Sequence, residues 1–232
     1  MVGVNSYFGS KAASGLCQAI ISLMPPHETY IETHLGGGAI MQRKARAAIN
    51  IGIDLDASPL ASFSCAYPVR LVNDCAHRFL TQYEFSGGEL VYSDPPYLLQ
   101  TRSSRRRYRF DYTEADHIAL LERLKSLPCS VLVSGYPSAL YDELLEDWQS
   151  VALQVMSRGG VRTEKLWFNY SLERVHWASY AGRNFTDRQR IKRKAQRWQN
   201  NYRELPPGER LAVLAAMMAV EAQPPLSRQV GL

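Results

Sequence analysis

The chain reads Glu-Leu-Val-Tyr-Ser-Asp-Pro-Pro-Tyr from Glu89 to Tyr97, so an acid, two prolines and a tyrosine directly follow a short apolar run. The run Glu89 to Ser93 has the length and composition of a buried strand. Asp94 is therefore expected at the carboxyl end of a strand, where open α/β sheets bind their ligands. A rigid turn with a packed aromatic ring is the alternative interpretation of the same residues.

The residue types from Asp94 to Tyr97 suit chemistry on an exocyclic aromatic amine, which is a poor nucleophile because its lone pair is delocalised into the ring. The Asp94 carboxylate and the Pro95 carbonyl can accept the two N–H bonds of such an amine and direct its lone pair at an electrophilic methyl group. Proline restricts φ and offers no competing N–H, so Pro95 and Pro96 hold these carbonyls in place. Tyr97 can stack on the base. This chemistry requires no metal and no covalent intermediate.

Around this motif, short apolar runs alternate with amphipathic stretches, a pattern typical of an α/β sheet. A first helix is predicted from Lys11 to Leu23. Helical stretches also lie between most of the apolar runs, so we expect a Rossmann-like α/β fold with a mostly parallel sheet. The last two runs are too close together for a crossover helix, which predicts an antiparallel pairing at the end of the sheet. The predicted strands are Tyr30 to Glu32, Ile49 to Ile53, Val69 to Asn73, Glu89 to Ser93, Cys129 to Ser134, Val151 to Met156, Lys165 to Asn169 and Val175 to Trp177.

Three consecutive glycines, Gly36 to Gly38, follow Glu32 where a strand is expected to end and a helix to begin. Glycine lets a ligand approach the backbone and permits positive φ, and the following helix offers free amides. The next strand ends at Asp54, whose carboxylate can accept hydrogen bonds from both ribose hydroxyls of a nucleoside cofactor. A nicotinamide enzyme would use the same pair of features, but the spacing GxGxxG is absent because residue 41 is methionine.

The chain changes character near residue 183. Thr186 and Gln189 form a predicted capping box, and an apolar stripe with basic residues between its members predicts an amphipathic helix. The stripe consists of Ile191, Ala195, Trp198 and Tyr202. Pro206 to Gly208 end this helix, and a second amphipathic pattern follows. We therefore expect a catalytic domain over residues 1–182 and a basic helical appendage over residues 183–232.

Charge is distributed unevenly over the 232 residues, which hold 27 basic and 22 acidic side chains for a net charge of +5. Residues 98–109 hold five arginines and no acid, and residues 183–203 hold eight basic side chains and one acid. Segregated basic residues indicate a polyanionic partner, most often nucleic acid. A solvated helix face or a loop is the alternative interpretation.

The overall composition excludes several classes of protein. Hydrophobic residues make up 46% and charged residues 21%, as in globular proteins, and no window is apolar for the ~18 residues that a membrane span needs. The first residues lack the pattern of a secretory signal. The four cysteines form no CxxC pair, so we expect a reduced, cytoplasmic protein without disulfides or structural zinc.

Several of these elements resemble motifs of the adenine-specific DNA methyltransferases that use S-adenosylmethionine, in particular the Dam-like class. Residues 7–11 are similar to an aromatic-x-Gly-Gly-Lys element in which Ser10 replaces the second glycine, and Glu32 to Ala39 resembles the family's E-x-F-x-G-x-G turn. Asp94 to Tyr97 matches the catalytic tetrapeptide without a substitution. Residues 131–134 and 164–170 are similar to later blocks, so the resemblance extends over roughly residues 6–170 in the family's order.

The resemblance implies transfer of a methyl group from S-adenosylmethionine to adenine N6 in DNA, with the target base flipped out of the stack. It implies catalytic roles for Asp94, Pro95, Pro96 and Tyr97. It also implies a ribose-binding role for Asp54 and a contact between Asp74 and the adenine amine of the cofactor. The full set of implied cofactor contacts is Tyr7, Lys11, Glu32, Gly36, Gly38, Asp54, Asp74 and Asp94.

Two features depart from the family pattern. His34 stands where phenylalanine is usual, and it either packs on the cofactor or is a hydrogen-bonded turn histidine. Only 39 residues separate Asp54 from Asp94, all needed for a helix, a strand and a helix, so no target-recognition domain fits in its usual place. The two basic segments are then the candidates for holding nucleic acid. Their predicted contact residues are Arg102, Arg105, Arg106, Arg107, Lys192, Arg193 and Lys194.

Other activities remain as alternatives. A cytosine-C5 methyltransferase would need a nucleophilic cysteine after proline, yet Cys129 begins an apolar run and is expected to be buried. Cytosine-N4 enzymes share the amine chemistry but more often have serine in the place of Asp94. An adenine methyltransferase acting on RNA could use the same tetrapeptide. A catalytically silent nucleic-acid-binding module on this fold is the alternative from a different class.

Overall fold

The computed structural model describes residues 16–102, 109–157, 160–172 and 185–222. Within these ranges the chain forms seven strands and eight α-helices. The strands are β1 (Thr29–Glu32), β2 (Ile49–Asp54), β3 (Arg70–Asn73), β4 (Glu89–Ser93), β5 (Ser130–Gly135), β6 (Gln149–Ser157) and β7 (Gly160–Phe168). The helices are α1 (Leu16–Leu23), α2 (Ala39–Arg43), α3 (Ala57–Ser62), α4 (Ala76–Gln82), α5 (Glu114–Lys125), α6 (Ala139–Leu144), α7 (Phe185–Glu204) and α8 (Pro207–Ala222). No helix in the described ranges is long and apolar enough to cross a membrane.

The seven strands form one sheet in the order β3-β2-β1-β4-β5-β7-β6. Strands β1 to β5 are parallel, whereas β7 runs antiparallel to both of its neighbours. This confirms the predicted Rossmann-like α/β fold, a mostly parallel sheet with an antiparallel end. The strand order reverses between β1 and β4, and this switch point opens a crevice at the carboxyl ends of the two strands.

The register of the sheet brings the predicted site residues to one edge. Glu32 at the end of β1 lies level with Gly52 of β2 and with Tyr92 of β4. Asp54 and Asp94 therefore both lie two residues beyond the level of Glu32, on opposite sides of β1. Three carboxyl groups that are distant in sequence converge because the strands that carry them are parallel and in register.

The core consists of two layers, one on each face of the sheet. Successive strand residues point to opposite faces, so Tyr30 belongs to one apolar cluster and Ile31 to the other. The continuous apolar runs of the sequence follow from this double burial, which parallel strands require. Helix α1 packs in the cluster of Tyr30, and α5 packs in the cluster of Ile31.

The antiparallel end of the sheet differs in detail from the prediction. We expected the pairing between Lys165 to Asn169 and Val175 to Trp177, but Val175 to Trp177 lies outside the described residues. The observed hairpin instead pairs β6 with β7, from Gln149 opposite Phe168 to Ser157 opposite Gly160. Only residues 158 and 159 join these two strands, too few for a crossover helix, so they are antiparallel.

The C-terminal segment forms the two predicted helices, and they differ in burial. Leu214 and Met218 of α8 pack against the cluster that contains α1. Helix α7 spans 20 residues and buries none of them. Its predicted apolar stripe is only partly covered: Trp198 is 54% exposed, whereas Ile191 and Tyr202 are half-buried. Amphipathic spacing predicted this helix correctly, but it does not specify a partner for the stripe.

The segment between Asp54 and Asp94 contains α3, β3 and α4 and then leads into β4. These elements and the short connections between them account for the 39 residues, as expected. No additional domain is inserted between the two acids.

Candidate active site

A solvent-open cleft of about 940 Å³ lies at the carboxyl ends of β1, β2 and β4. It brings together most of the predicted cofactor and catalytic residues, although the positions come from three separate strands. The lining consists of residues 32–40, residues 54–56, Cys75, Ala76, Tyr92, residues 94–97, Arg109, Phe110 and Tyr112. Of the described residues predicted to bind the cofactor, only Asp74 is not part of this lining.

The glycine turn connects β1 to α2 in the conformation that the sequence predicts. Gly36 and Gly38 both have positive φ, 48° and 63°. A side chain at Gly38 would also clash with the ring of Phe63, so glycine is required there on two grounds. Helix α2 has only five residues, and its dipole is correspondingly small. The turn therefore lets a ligand lie close to the backbone, and the dipole of α2 adds little to binding.

Asp54 holds the glycine turn in place through a hydrogen bond to its backbone. Its Oδ2 accepts from the Gly36 N–H at 2.7 Å and its Oδ1 from the Asp56 N–H at 2.9 Å. Burial raises the pKa of this carboxyl, and the two backbone N–H groups oppose that effect. Each oxygen retains a lone pair, so the carboxylate can still accept hydrogen bonds from a ligand's hydroxyls.

Glu32 is 3% exposed, and burial raises the pKa of its carboxyl to about 8. The Tyr30 hydroxyl donates to Glu32 Oε2 at 3.1 Å. Lys44 approaches the same region from α2 and places its ammonium 4.3 Å from the Tyr30 ring centre. Burial lowers the pKa of Lys44 to about 8. At neutral pH the Glu32 carboxyl is therefore mostly protonated and uncharged, whereas the Lys44 ammonium is still mostly charged.

The buried Glu32 predicts a pH-dependent stability. Its pKa rises from 4.5 to about 8 on folding, so the folded chain binds the proton more tightly and stability falls as pH increases between these values. Between about pH 5 and pH 8, without cofactor, the free energy of unfolding of the wild type should fall relative to that of Glu32→Gln by on the order of a few kcal/mol. The melting temperature of the wild type should accordingly fall by several degrees relative to that of the variant. A difference that is constant across this range would show that Glu32 titrates normally.

Asp94 lies directly after β4 and is oriented by the neighbouring strand. The Ser134 hydroxyl of β5 donates to Asp94 Oδ1 at 2.9 Å. Since the Ser134 hydrogen is used in this way, the Tyr92 hydroxyl at 2.9 Å donates to Ser134 Oγ. The two hydroxyls form a short buried chain that ends on the carboxylate. Asp94 is thereby held with its acceptor oxygens at the cleft.

His34 is hydrogen-bonded within the turn and also lines the cleft. Its Nδ1 lies 2.8 Å from Thr33 Oγ1, and its Nε2 lies 3.0 Å from the Tyr112 hydroxyl. Thr33 donates its own hydrogen to Ser93 Oγ, so Nδ1 of the histidine is the donor and Nε2 accepts from Tyr112. Burial lowers the pKa of His34 to about 3, which keeps the ring neutral.

Asp74 is placed less directly than its predicted role requires. Its carboxylate accepts from the Cys75 N–H at 2.6 Å and forms an ion pair with Arg78. The Arg78 guanidinium holds the pKa of Asp74 below its usual range. At this strand the cleft wall is formed by Cys75 and Ala76.

Arg102, one of the arginines predicted to contact nucleic acid, has a different role in the structure. Its side chain is 6% exposed and forms an ion pair of 2.7 Å with Asp111. Its Nε also donates to the Tyr97 carbonyl at 2.6 Å. A guanidinium buried in this way supports the turn after residues 94–97 instead of meeting a phosphate.

Cys129 is buried immediately before β5, as expected for an apolar strand. Burial raises the pKa of its thiol to about 12, so the reactive thiolate is suppressed. It is not a nucleophile of the kind that cytosine-C5 chemistry requires.

The remaining predicted residues divide into two groups. Lys192, Arg193 and Lys194 lie on α7 and are exposed. The others, Tyr7, Lys11, Arg105, Arg106 and Arg107, lie outside the described residues.

Sequence reasoning missed several residues of the cleft wall. Arg109 donates to Asp56 Oδ1 at 3.2 Å and thus bridges from the basic segment to the end of β2. Phe110 and Tyr112 line the cleft beside it. Ser134, which donates to Asp94, could have been predicted from the sequence, because it lies at the carboxyl end of a predicted strand. The positions of Arg109 to Tyr112 depend on tertiary folding and had no local signal.

Fold and cleft together define a Rossmann-like α/β protein with its ligand site at the switch point of the sheet. No family model and no curated protein matches the sequence. Among solved structures, the chain is similar to TrmK of M. capricolum in complex with S-adenosylhomocysteine, at 8% identity and a TM-score of 0.45, over 89% of this chain and 92% of that one.

Two further similarities are of the same order. An rRNA methylase from Streptococcus thermophilus is 11% identical over 66% of this chain and 93% of its own, with a TM-score of 0.45. The N-methyltransferase NodS from Bradyrhizobium japonicum is 10% identical over 67% of this chain and 93% of its own, with a TM-score of 0.44. At such low identity these likenesses concern the fold alone.

Proposed function

We propose that this protein transfers a methyl group from S-adenosylmethionine to the N6 amine of adenine in DNA. The observation that supports this most directly is the position of Asp94 to Tyr97 at the carboxyl end of β4. There they share one cleft with the glycine turn and with Asp54. A base-binding motif and a nucleoside-binding turn on adjacent strands are the arrangement that transfer between a cofactor and a nucleobase requires.

The residues of the cleft suit this cofactor. Asp54 can accept from the ribose hydroxyls, and the turn at Gly36 and Gly38 lets the cofactor lie against the backbone. Glu32 can accept from the amino group of the methionine moiety as that group enters the buried end of the cleft. When bound, S-adenosylmethionine supplies an electrophilic methyl group on a positively charged sulfur and leaves as the neutral thioether.

The chain's own residues activate the amine. The Asp94 carboxylate and the Pro95 carbonyl accept its two N–H bonds, which makes the nitrogen more tetrahedral and directs its lone pair. As the new C–N bond forms, the nitrogen becomes positively charged, and Asp94 is placed to stabilise that charge and to take one proton. Such preorganised acceptors act without reorganisation at the moment of reaction. Tyr97 stacks on the base and keeps it in reach.

The target has to leave the stack to reach this cleft, at a cost of about a few kcal/mol in a duplex and less in single strands. No inserted recognition domain lies between Asp54 and Asp94, so nucleic acid must be held elsewhere. We infer that the basic residues at 105–109, without the buried Arg102, and those at 183–203 do this, with residues 1–182 as the catalytic domain and residues 183–232 as a basic helical appendage.

Expression in a methylation-deficient cell provides the decisive test. Sequencing should detect N6-methyladenine in the DNA of cells that express the wild type and none in cells that express Asp94→Ala. Methyladenine confined to RNA would assign the activity to RNA instead. Its absence from both nucleic acids, with folded protein present, would leave a silent binding module and reject the proposal.

The contribution of α7 can be separated from base recognition by its salt dependence. Each phosphate that a protein neutralises contributes about −0.9 to the slope of log K against log salt on duplex DNA. Replacing Lys192, Arg193 and Lys194 with alanine should therefore make the slope shallower by up to about 3 units and weaken binding to all sequences alike. The set of methylated adenines should not change.

A matched control removes exposed charge elsewhere. Arg46 and Arg70 are exposed and lie outside both basic segments, so their replacement with alanine should alter the slope much less. If the triple α7 variant and this control give the same slope as the wild type, α7 does not contact the phosphates.

A further inference from the structure

The ring of Tyr97 is stacked against a second tyrosine. Tyr136 lies parallel to it, with ring centroids 4.0 Å apart and an angle of 17° between the planes. Tyr97 lines the cleft and Tyr136 does not. The stack therefore joins a residue of the cleft lining to a residue that is not part of that lining.

The hydroxyl of Tyr97 is fixed as well. It lies 3.3 and 3.5 Å from the two carboxylate oxygens of Glu164, to which it donates. Glu164 belongs to β7 and is 1% exposed. Two residues earlier on the same face of β7, Arg162 donates to the Tyr136 hydroxyl at 2.7 Å. One face of β7 therefore supports both tyrosines.

Residues 134–136, at the end of β5, contact both Asp94 and Tyr97. Ser134 donates to Asp94, and Tyr136, two residues later, stacks on Tyr97. A short stretch of backbone thus fixes the distance between the carboxylate that accepts the amine and the ring that carries the base. Catalysis depends on such distances, and misplacement by about 1 Å can cost about 10²-fold in rate.

We propose that Tyr136 and Glu164 are positioning residues that hold Tyr97 at the angle and depth at which a flipped purine stacks on it, with its amine at Asp94. This inference rests on the proposed function and adds to it two residues that support the segment Asp94 to Tyr97 from outside it. Neither residue touches the cofactor cleft, so both should affect the methyl acceptor and not the binding of S-adenosylmethionine.

The first test is kinetic. Tyr136→Ala should lower kcat on duplex DNA by about 10-fold to 100-fold with little change in calorimetric affinity for S-adenosylmethionine, and Tyr136→Phe should restore most of the rate because it keeps the stack. Fluorescence of 2-aminopurine at the target position should show a smaller extruded fraction for Tyr136→Ala. Glu164→Gln, which keeps an acceptor for the Tyr97 hydroxyl, should be milder than Glu164→Leu.

A matched control loses an aromatic pair elsewhere. Tyr83 stacks on Phe79 in the core away from the cleft, with centroids 5.4 Å apart. Tyr83→Ala should lower the melting temperature without the selective loss of kcat. If Tyr136→Ala fails to fold, Tyr136→Leu keeps the bulk and removes the aromatic face. A folded variant without the stack that retains wild-type kcat and base extrusion overturns the inference.

A second readout does not depend on the substrate. With 3-fluorotyrosine at position 97, the fluorine resonance should move and broaden in Tyr136→Ala and remain in place in Tyr83→Ala. An unchanged resonance in both variants would reject the positioning role even if DNA is methylated. Conversely, a wild type that methylates no nucleic acid but shows the expected shift would reject the proposed function and retain the support of Tyr97.

Discussion

Replacing Asp94 with alanine should abolish methyl transfer while cofactor affinity changes much less. The expected loss in turnover is at least about 10² to 10³-fold, as is usual when a preorganised polar group at the reacting centre is removed. The reason is that the carboxylate acts on the amine, whose charge develops only in the transition state. Single-turnover rates with a labelled methyl donor and calorimetry with S-adenosylmethionine measure the two effects separately.

Two variants separate the chemistry of Asp94 from its support. Asp94→Asn keeps one acceptor oxygen and loses the charge, so its rate should lie between those of the wild type and Asp94→Ala. Ser134→Ala removes the hydroxyl that orients Asp94 Oδ1 and should cause a smaller loss. A folded Asp94→Ala variant with more than about a tenth of wild-type turnover would contradict this mechanism.

The central part of the fold was predictable because parallel strands leave a strong trace in the sequence. A strand buried on both faces is expected to be apolar through its middle, as Leu90 to Tyr92 of β4 are. The observed bounds of β1, β2 and β4 accordingly agree with the predicted runs to within one residue. The pairing of β6 with β7 was less accessible, because an exposed hairpin alternates apolar and polar residues and resembles other amphipathic segments.

The residues of the candidate site likewise fall into those that strand position predicts and those that depend on tertiary contacts. Glu32, Asp54 and Asp94 were predictable because a carboxylate directly after a strand must come to the ligand edge of a parallel sheet. Arg102 was misassigned because composition reports charge and not burial. The contacts of Tyr136 and Glu164 with Tyr97 join distant segments, and no local spacing indicates which of these side chains meet.

The sequence of α7 predicts an amphipathic helix but does not predict what packs against it. Its apolar stripe has the period of a packed helix, yet the described chain buries none of its residues fully and leaves Trp198 exposed. Periodicity establishes that one face differs from the other. The partner of the basic residues of α7 is inferred from their charge, which is why the salt dependence of DNA binding is the appropriate measurement for α7.

Removing the carboxylate of Asp54 should give the second large effect, on cofactor affinity. Asp54→Ala deprives the ribose hydroxyls of a charged acceptor, which is worth about 1.5 to 3 kcal/mol, or roughly 10-fold to 150-fold in Kd. It also removes the acceptor of the Gly36 N–H, which holds the glycine turn in place. Both losses weaken the same binding event, and calorimetry with S-adenosylmethionine and with S-adenosylhomocysteine should show them equally.

Asp56 provides the matched control, because it lines the same cleft two residues later and instead caps α3 through the Ser58 N–H. Asp56→Ala should lower stability by about 1 kcal/mol, as the loss of a helix cap does, with a much smaller change in cofactor affinity. Asp54→Asn, which keeps one acceptor oxygen, should fall between the wild type and Asp54→Ala. If Asp54→Ala folds with unchanged affinity while Asp56→Ala loses it, the ribose is bound by Asp56, and the end of β2 has been assigned to the wrong acid.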